Sequence, residues 1–280
     1  MNSNRFRVPA ITAALLAGAL ALAGCGGSDN PGGEGGAAPL RVGMEAAYAP
    51  FNWTQVDDAN GAVAIDGGGW AGGYDVQIAK LIGEALGREV VVVKTQWDGL
   101  TPALTSGKID LIIAGMSPTE ERRQAIDFTD YYYTSDIVLV LRQDSPFAAA
   151  TSIRDFAGAK VTGQLGTIHY GFIDQLAGAD KQPAMEDFPA MIVAVNSGKV
   201  DAYVSERPGA LSAVASNPDL TFLGFEGDDG FQVDSDETSI SIGLPKGSDL
   251  AGPINEALAG ISEETRAQIM ADAVAQQPGD

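Results

Sequence analysis

The sequence predicts an α/β protein built as two lobes with largely parallel sheets, and three observations lead there. A helical pattern that ends in Ser106-Gly107-Lys108-Ile109-Asp110 recurs 91 residues later, ending in Ser197-Gly198-Lys199-Val200-Asp201. Each copy runs into a short apolar stretch, Leu111-Ile112-Ile113-Ala114 or Ala202-Tyr203-Val204, which reads as a buried strand. The chain has 280 residues, which suits one large or two small lobes better than one small core. Strand and helix patterns that alternate in both halves are the mark of α/β lobes.

The elements follow in order. Arg5 and Arg7 make a basic start, and Ala10 to Ala23 is an apolar run too short and too Ala-rich for a bilayer span of about 20 residues. Residues 1–24 therefore read as an export signal. The run ends in Leu22-Ala23-Gly24-Cys25, which resembles the bacterial lipoprotein lipobox and implies cleavage before Cys25 and lipidation there. Residues 25–39 read as the lipidated Cys25 and a glycine-rich tether, so the folded part is expected from Leu40. The expected location is extracytoplasmic, anchored by lipid to the cell membrane.

Leu40 to Met44 reads as a strand. Asp75 to Leu86 is amphipathic, with Val76, Ala79, Ile82 and Leu86 inward and Gly87 as its stop. Val90 to Val93 is a buried strand, and Leu100, Ala103 and Leu104 mark a helix that ends at Gly107. Ser117-Pro118-Thr119-Glu120 has the form of a capping box with proline at the first helical position. Ile137 to Leu141 and Ser239 to Leu244 are strands where the chain is expected to pass between lobes. Lys160 to Thr162 is another strand, and Ala190, Ile192, Val193 and Val195 mark the helix before Gly198. Ile254 to Val274 is helical, with a break at Ser262.

Composition excludes several kinds of chemistry. Lys plus Arg is 17 against 37 for Asp plus Glu, a net charge of −20, so phosphate backbones repel the chain and no nucleic-acid partner is expected. One cysteine and one histidine exclude an internal disulfide, a cysteine-based zinc site and a His-rich catalytic metal centre; no metal or cofactor is expected. Gly67-Gly68-Gly69-Trp70-Ala71-Gly72 fits a dinucleotide-binding glycine pattern, but the next strand begins with Glu89 and ends near Lys94 without the required acid, so it reads as a glycine-rich turn.

In such sheets ligands gather beyond the carboxyl ends of the strands. One such end is Ala114-Gly115-Met116-Ser117, and the 91-residue offset sets Gly115 against Glu206 in the other half. Arg122 is read either as a solvated cation paired with Glu120, Glu121 or Asp127, or as the receiver of an anion at the cleft. Set across that cleft, Arg122 and Glu206 would suit a zwitterion. Gly166 and Thr167 open a further helix and offer backbone N–H groups. Tyr48 and Trp97 are either core plugs or ligand platforms, and His169 is a surface or lining residue.

At these residues the chain resembles family 3 of the extracellular solute-binding proteins, the amino-acid-binding components of ABC importers. The likeness rests on Tyr48-Ala49-Pro50-Phe51, Gly73-Tyr74-Asp75-Val76, Trp97-Asp98-Gly99-Leu100, the run from Asp110 to Arg122, Gln164-Leu165-Gly166-Thr167 and Gly198-Lys199-Val200-Asp201. It implies a two-lobed, type II periplasmic-binding-protein-like fold with two crossover hinge strands. The resemblance divides the chain into lobe 1 over 40–133, lobe 2 over 134–236, and a return to lobe 1 with C-terminal helices over 237–280. It further implies that Arg122 clamps a ligand α-carboxylate, helped by backbone N–H groups of Ser117 and of Thr167 or Ile168. The α-ammonium would meet Glu206, the Gly115 carbonyl and the Ser117 hydroxyl, with Met116 completing that strand end. Tyr48 and Trp97 would sandwich the side chain, and Glu45 would sit near its tip. The family usually places Asp where this chain has Glu206, one methylene longer.

The resulting expectation is a monomeric, non-enzymatic lipoprotein that captures a polar or cationic L-amino acid by lobe closure and delivers it to an ABC permease. The alternative is an exported dehydratase on the same fold, with Glu206 or His169 as its acid.

Overall fold

The structure, a computed structural model, describes residues 37–278. The export signal, Cys25 and most of the tether lie outside the described residues. In chain order the strands are β1 (Leu40–Met44), β2 (Ala47–Tyr48), β3 (Asn52–Gln55), β4 (Val63–Ala64), β5 (Trp70–Gly72), β6 (Val90–Lys94), β7 (Leu111–Ile112) and β8 (Asp127–Thr134). They continue as β9 (Ile137–Arg142), β10 (Lys160–Thr162), β11 (Asp180–Lys181), β12 (Ala202–Glu206), β13 (Leu220–Leu223) and β14 (Ser239–Leu244). The helices are α1 (Tyr74–Leu86), α2 (Leu100–Thr105), α3 (Glu120–Ala125), α4 (Ile168–Phe172), α5 (Phe188–Asn196), α6 (Arg207–Ser216), α7 (Ser235–Thr238), α8 (Ala251–Ala259) and α9 (Glu263–Gln276).

Two five-stranded sheets carry the fold, in the orders β6-β1-β7-β14-β8 and β11-β10-β12-β9-β13. The chain leaves the first sheet after β8, enters the second at β9, and returns from β13 to β14. Each sheet is half parallel rather than largely parallel: β1 runs with β6 and β7, but β14 opposes both β7 and β8. In the second sheet β10 runs with β11 and β12, while β9 opposes β12 and β13. The two passages between sheets are what bring in the opposing strands. A third, antiparallel sheet, β2-β3-β5-β4, was not foreseen; its strands are too short and glycine-broken to show a period. Gly67, Gly68 and Gly69 all have positive φ and turn the chain between β4 and β5, as a glycine-rich turn should.

Burial explains the apolar runs. Val138, Leu139, Val140 and Leu141 of β9 are wholly buried between strands on both sides, each contributing about 1.5–3 kcal/mol by leaving water. Helix α1 turns Val76, Ile78, Ala79 and Ile82 into the core and stops at Gly87, whose φ is 62°. Ser262 caps α9 through the Thr265 amide, which is the break expected in the C-terminal helical pattern.

The internal repeat is matched bond for bond. Gly107 and Gly198 have φ of 73° and 71°. Lys108 N–H bonds Ala103 O and Lys199 N–H bonds Ala194 O, both at 2.9 Å. Asp110 then accepts from the Arg41 amide of β1 at 2.9 Å, and Asp201 from the Lys160 amide of β10 at 2.8 Å. Each aspartate thus ties the start of its own strand to the strand beside it, so both sheets present their strand ends the same way.

Candidate ligand-binding site

A narrow cleft lies beyond those strand ends. Tyr48, Trp97, Gly115, Ser117 and Arg122 line it from the first-sheet side; Gln164, Thr167, Ile168, His169 and Phe188 line it from the second.

Arg122 sits on α3, which starts later than expected. Thr119, not Ser117, is its cap, accepting from the Arg122 amide at 3.3 Å. The Ser117 hydroxyl is spent elsewhere, donating to Glu237 O at 3.1 Å. That donation leaves the Ser117 lone pairs as acceptors. The Arg122 guanidinium donates to Ser117 O at 2.8 Å and to Gly166 O at 3.3 Å, and lies 5.1 Å over the Trp97 ring. Its partners are carbonyls, and among the described residues it forms no ion pair. Burial lowers it to about 10, so it stays cationic at neutral pH. A planar cation held by neutral groups beside a cleft is a seat for a carboxylate.

Trp97 opens a short 3₁₀ turn and donates its N–H to the same Gly166 carbonyl at 3.0 Å. Gly166 takes φ of 71°, which turns that carbonyl toward both donors. Thr167 donates both its hydroxyl and its amide to Gln164 O. Ile168 is the first residue of α4, where an amide has no carbonyl partner in its own helix.

The acids lie one layer back. Glu206 ends β12, is 4% exposed, and accepts from the Tyr48 hydroxyl. Burial raises it to about 8, opposed by the Tyr48 bond and assisted by the charge of Asp75. Tyr48 stacks on Phe188 at 4.1 Å and on Phe51 at 5.0 Å, which fixes the ring whose hydroxyl bonds Glu206. Glu45 is 8% exposed and accepts from Gln164 Nε2 at 2.9 Å. Burial raises it to about 7; the Gln164 bond opposes this and the charge of Asp187 adds to it. Met116 is buried in the core and its carbonyl accepts from the Ser241 amide at 3.0 Å, so its own groups face away from ligand chemistry.

His169 is buried rather than on the surface, with its ring edge against Phe188 and no partner at Nδ1. Burial first, and then the Arg122 charge, hold it near 4, so it is neutral at pH 7. Phe188 and Gln164 carried no role in the sequence reading. Phe188 is placed by the Asp187 cap and Pro189 at the start of α5, a helix-start signal that could have flagged it. Among the described residues no cluster of His, Cys, Asp and Glu could hold a metal ion, and no helix is long and apolar enough to cross a membrane.

The chain is similar to proteins already known. The model of the bacterial extracellular solute-binding proteins, family 3, matches residues 40–274. A probable histidine-binding protein of Campylobacter jejuni is 34% identical over 192 residues, 68% of this chain and 69% of its own length. The arginine-binding extracellular protein ArtP of Bacillus subtilis is 31% identical over 248 residues, 85% of this chain and 86% of its own. Among solved structures, the amino acid ABC transporter substrate-binding protein AbpA of Streptococcus pneumoniae, bound to L-arginine, superposes with a TM-score of 0.72 at 27% identity, covering 85% of this chain and 94% of that one.

Proposed function

Because the chain belongs to family 3 of the bacterial extracellular solute-binding proteins, we propose that it captures a polar or cationic L-amino acid between its two lobes and delivers it to an ABC permease. The observation that carries this reading is a cleft with an unpaired guanidinium, Arg122, on one side and buried acids, Glu206 and Glu45, behind its walls. An amino acid is a small zwitterion that satisfies both signs. Arg122 takes the α-carboxylate with the Ile168 amide, and the ammonium goes to the Gly115 carbonyl, the Ser117 lone pairs and Glu206. Trp97 flanks the side chain; Tyr48, stacked between Phe188 and Phe51, is a packed plug that meets the cleft only by its edge. Glu45, reached through Gln164, favours a cationic or polar tip. The relatives named above for histidine and arginine support that preference.

Micromolar capture of so small a ligand would require enclosure. A Kd of about 1 μM is about −8 kcal/mol. Spread over roughly ten heavy atoms that is about −0.8 kcal/mol per atom, which an open patch rarely supplies and a closed cleft does. Closure divides the chain at about residues 134 and 237, and Cys25 supplies the lipid anchor that keeps a monomeric protein at the extracytoplasmic face.

A thermal-shift screen of the twenty L-amino acids, followed by calorimetry on the best, tests the reading. Arginine or histidine is expected to raise Tm most; no shift with any L-amino acid would overturn it. Family 3 proteins bind solutes, and a prephenate turnover assay is expected to show no activity.

A further inference from the structure

The peptide that bears the Gly115 carbonyl is bracketed by two anchors. On one side the Gly115 amide donates to the Tyr132 hydroxyl at 3.2 Å. On the other, Met116 O accepts from Ser241 N–H at 3.0 Å. Between them Gly115 holds φ at 64°, and a Cβ there would meet the Tyr48 ring at 3.0 Å, so any other residue is strained and crowded.

The first anchor has a direction built into it. A phenol has one proton, and Tyr132 gives it to Asp75 Oδ1 at 2.7 Å. Only its lone pairs then face the Gly115 amide. The other Asp75 oxygen accepts from Asn52 Nδ2 at 2.8 Å. Asp75 and Tyr132 are both wholly buried, and among the described residues Asp75 has no cation within ion-pair distance. Burial pushes Asp75 up to about 6, against the bonds from Tyr132 and Asn52 and the nearby Gly115 amide. A buried acid without a counterion costs stability. As an acid in the first turn of α1 it gains something from the helix dipole, yet that role needs no contact with Tyr132.

We propose that Asp75 and Tyr132 are positioning residues for the cleft: Asp75 sets the direction of the Tyr132 hydroxyl, Tyr132 holds the Gly115 amide, and the Gly115 carbonyl is thereby presented to the ligand ammonium. This rests on the amino-acid reading of the cleft.

The test is L-arginine calorimetry, with Tm and amide exchange at Gly115, on Y132F, D75N, D75A and Y74F. Y132F is expected to weaken L-arginine by about tenfold or more and to speed Gly115 exchange by a similar factor. D75A does the same. D75N keeps binding within about threefold, because its oxygen still accepts from Tyr132 while Asn52 turns its Oδ1, now unpartnered, to the new amide. Y74F removes an equally buried hydroxyl, which reaches Tyr132 O and not Gly115, and is expected to lower Tm while keeping affinity. Y132F binding within about twofold of wild type, or D75N as weak as D75A, overturns the proposal. If Y132F does not fold, D75N against D75A decides. If neither D75A nor Y132F folds, an unprotected Gly115 amide in the wild type overturns it. If the wild type binds no L-amino acid, the functional reading fails, while Gly115 exchange in D75N and D75A still decides the relay.

Discussion

The hydroxyl of Tyr48 donates to the carboxyl group of Glu206, joining residues 158 apart in sequence across the two halves of the molecule. The acid is buried, held at about 8, and among the described residues it forms no ion pair. At neutral pH it is mostly protonated.

A ligand ammonium requires the carboxylate form. Binding near pH 7 is therefore expected to release a fraction of a proton, and affinity is expected to fall as pH drops below about 8. Calorimetry in two buffers with different ionisation enthalpies reads this directly. Equal apparent enthalpies in the two buffers would count against Glu206 as the ammonium partner.

Among the described residues the Arg122 guanidinium bonds carbonyls and forms no ion pair, so its removal leaves no carboxylate unpaired. R122A is expected to weaken ligand binding by about a hundredfold or more while moving Tm little. R122K keeps the charge but not the planar fork, and is expected to recover only part of the affinity. Calorimetry on both variants distinguishes charge from geometry. Undiminished binding by R122A would remove the carboxylate seat.

Stability should depend on pH in the opposite sense to that of a salt-bridged protein. Glu45, Asp75 and Glu206 are raised to about 7, 6 and 8, so the folded state holds their protons more tightly than the unfolded chain. Their stabilising effect is fully present below the ordinary carboxylate range and is lost as pH rises through these values. Asp110, lowered by its bonds to Arg41, works the other way and is lost in acid. The urea midpoint is expected to be higher near pH 5 than near pH 8, by at least about 1 kcal/mol in unfolding free energy. E45Q should flatten part of that slope. A midpoint that rises steadily to pH 8 would contradict the burial of these acids.

Trp97 is one of three tryptophans and the one that lines the cleft. Ligand addition is expected to shift its emission, and W97F to abolish the shift while leaving the fluorescence of Trp53 and Trp70. A shift that persists in W97F would place the reporter elsewhere.

Much of this was legible because local chemistry and global fold agree. The Ser-Gly-Lys-apolar-Asp repeat specified a helix stop, a glycine turn and a strand start in each half, and the bonds of Asp110 and Asp201 repeat accordingly. What was not legible depended on distant partners. Ser117 looked like a cap, but its hydroxyl bonds a carbonyl 120 residues away and the helix begins at Thr119's cap instead. Glu206 was readable as a cleft acid, yet its position behind Tyr48 follows from the stacking of Phe188, which no periodicity announces. His169 reaches the cleft because α4 opens at Thr167, and Gln164 is held there by its bonds to Glu45 and Glu186 O.

The outward passage between sheets has a consequence for motion. Ser135 N–H is fastened to Thr238 O at 2.9 Å, on the first-sheet side, while Asp136 O accepts from Arg207 N–H at 3.0 Å and its carboxylate pairs with the Arg207 guanidinium, on the second. Neighbouring residues are thus bonded on different sides, and the closure proposed for the cleft would turn on the linkage joining them.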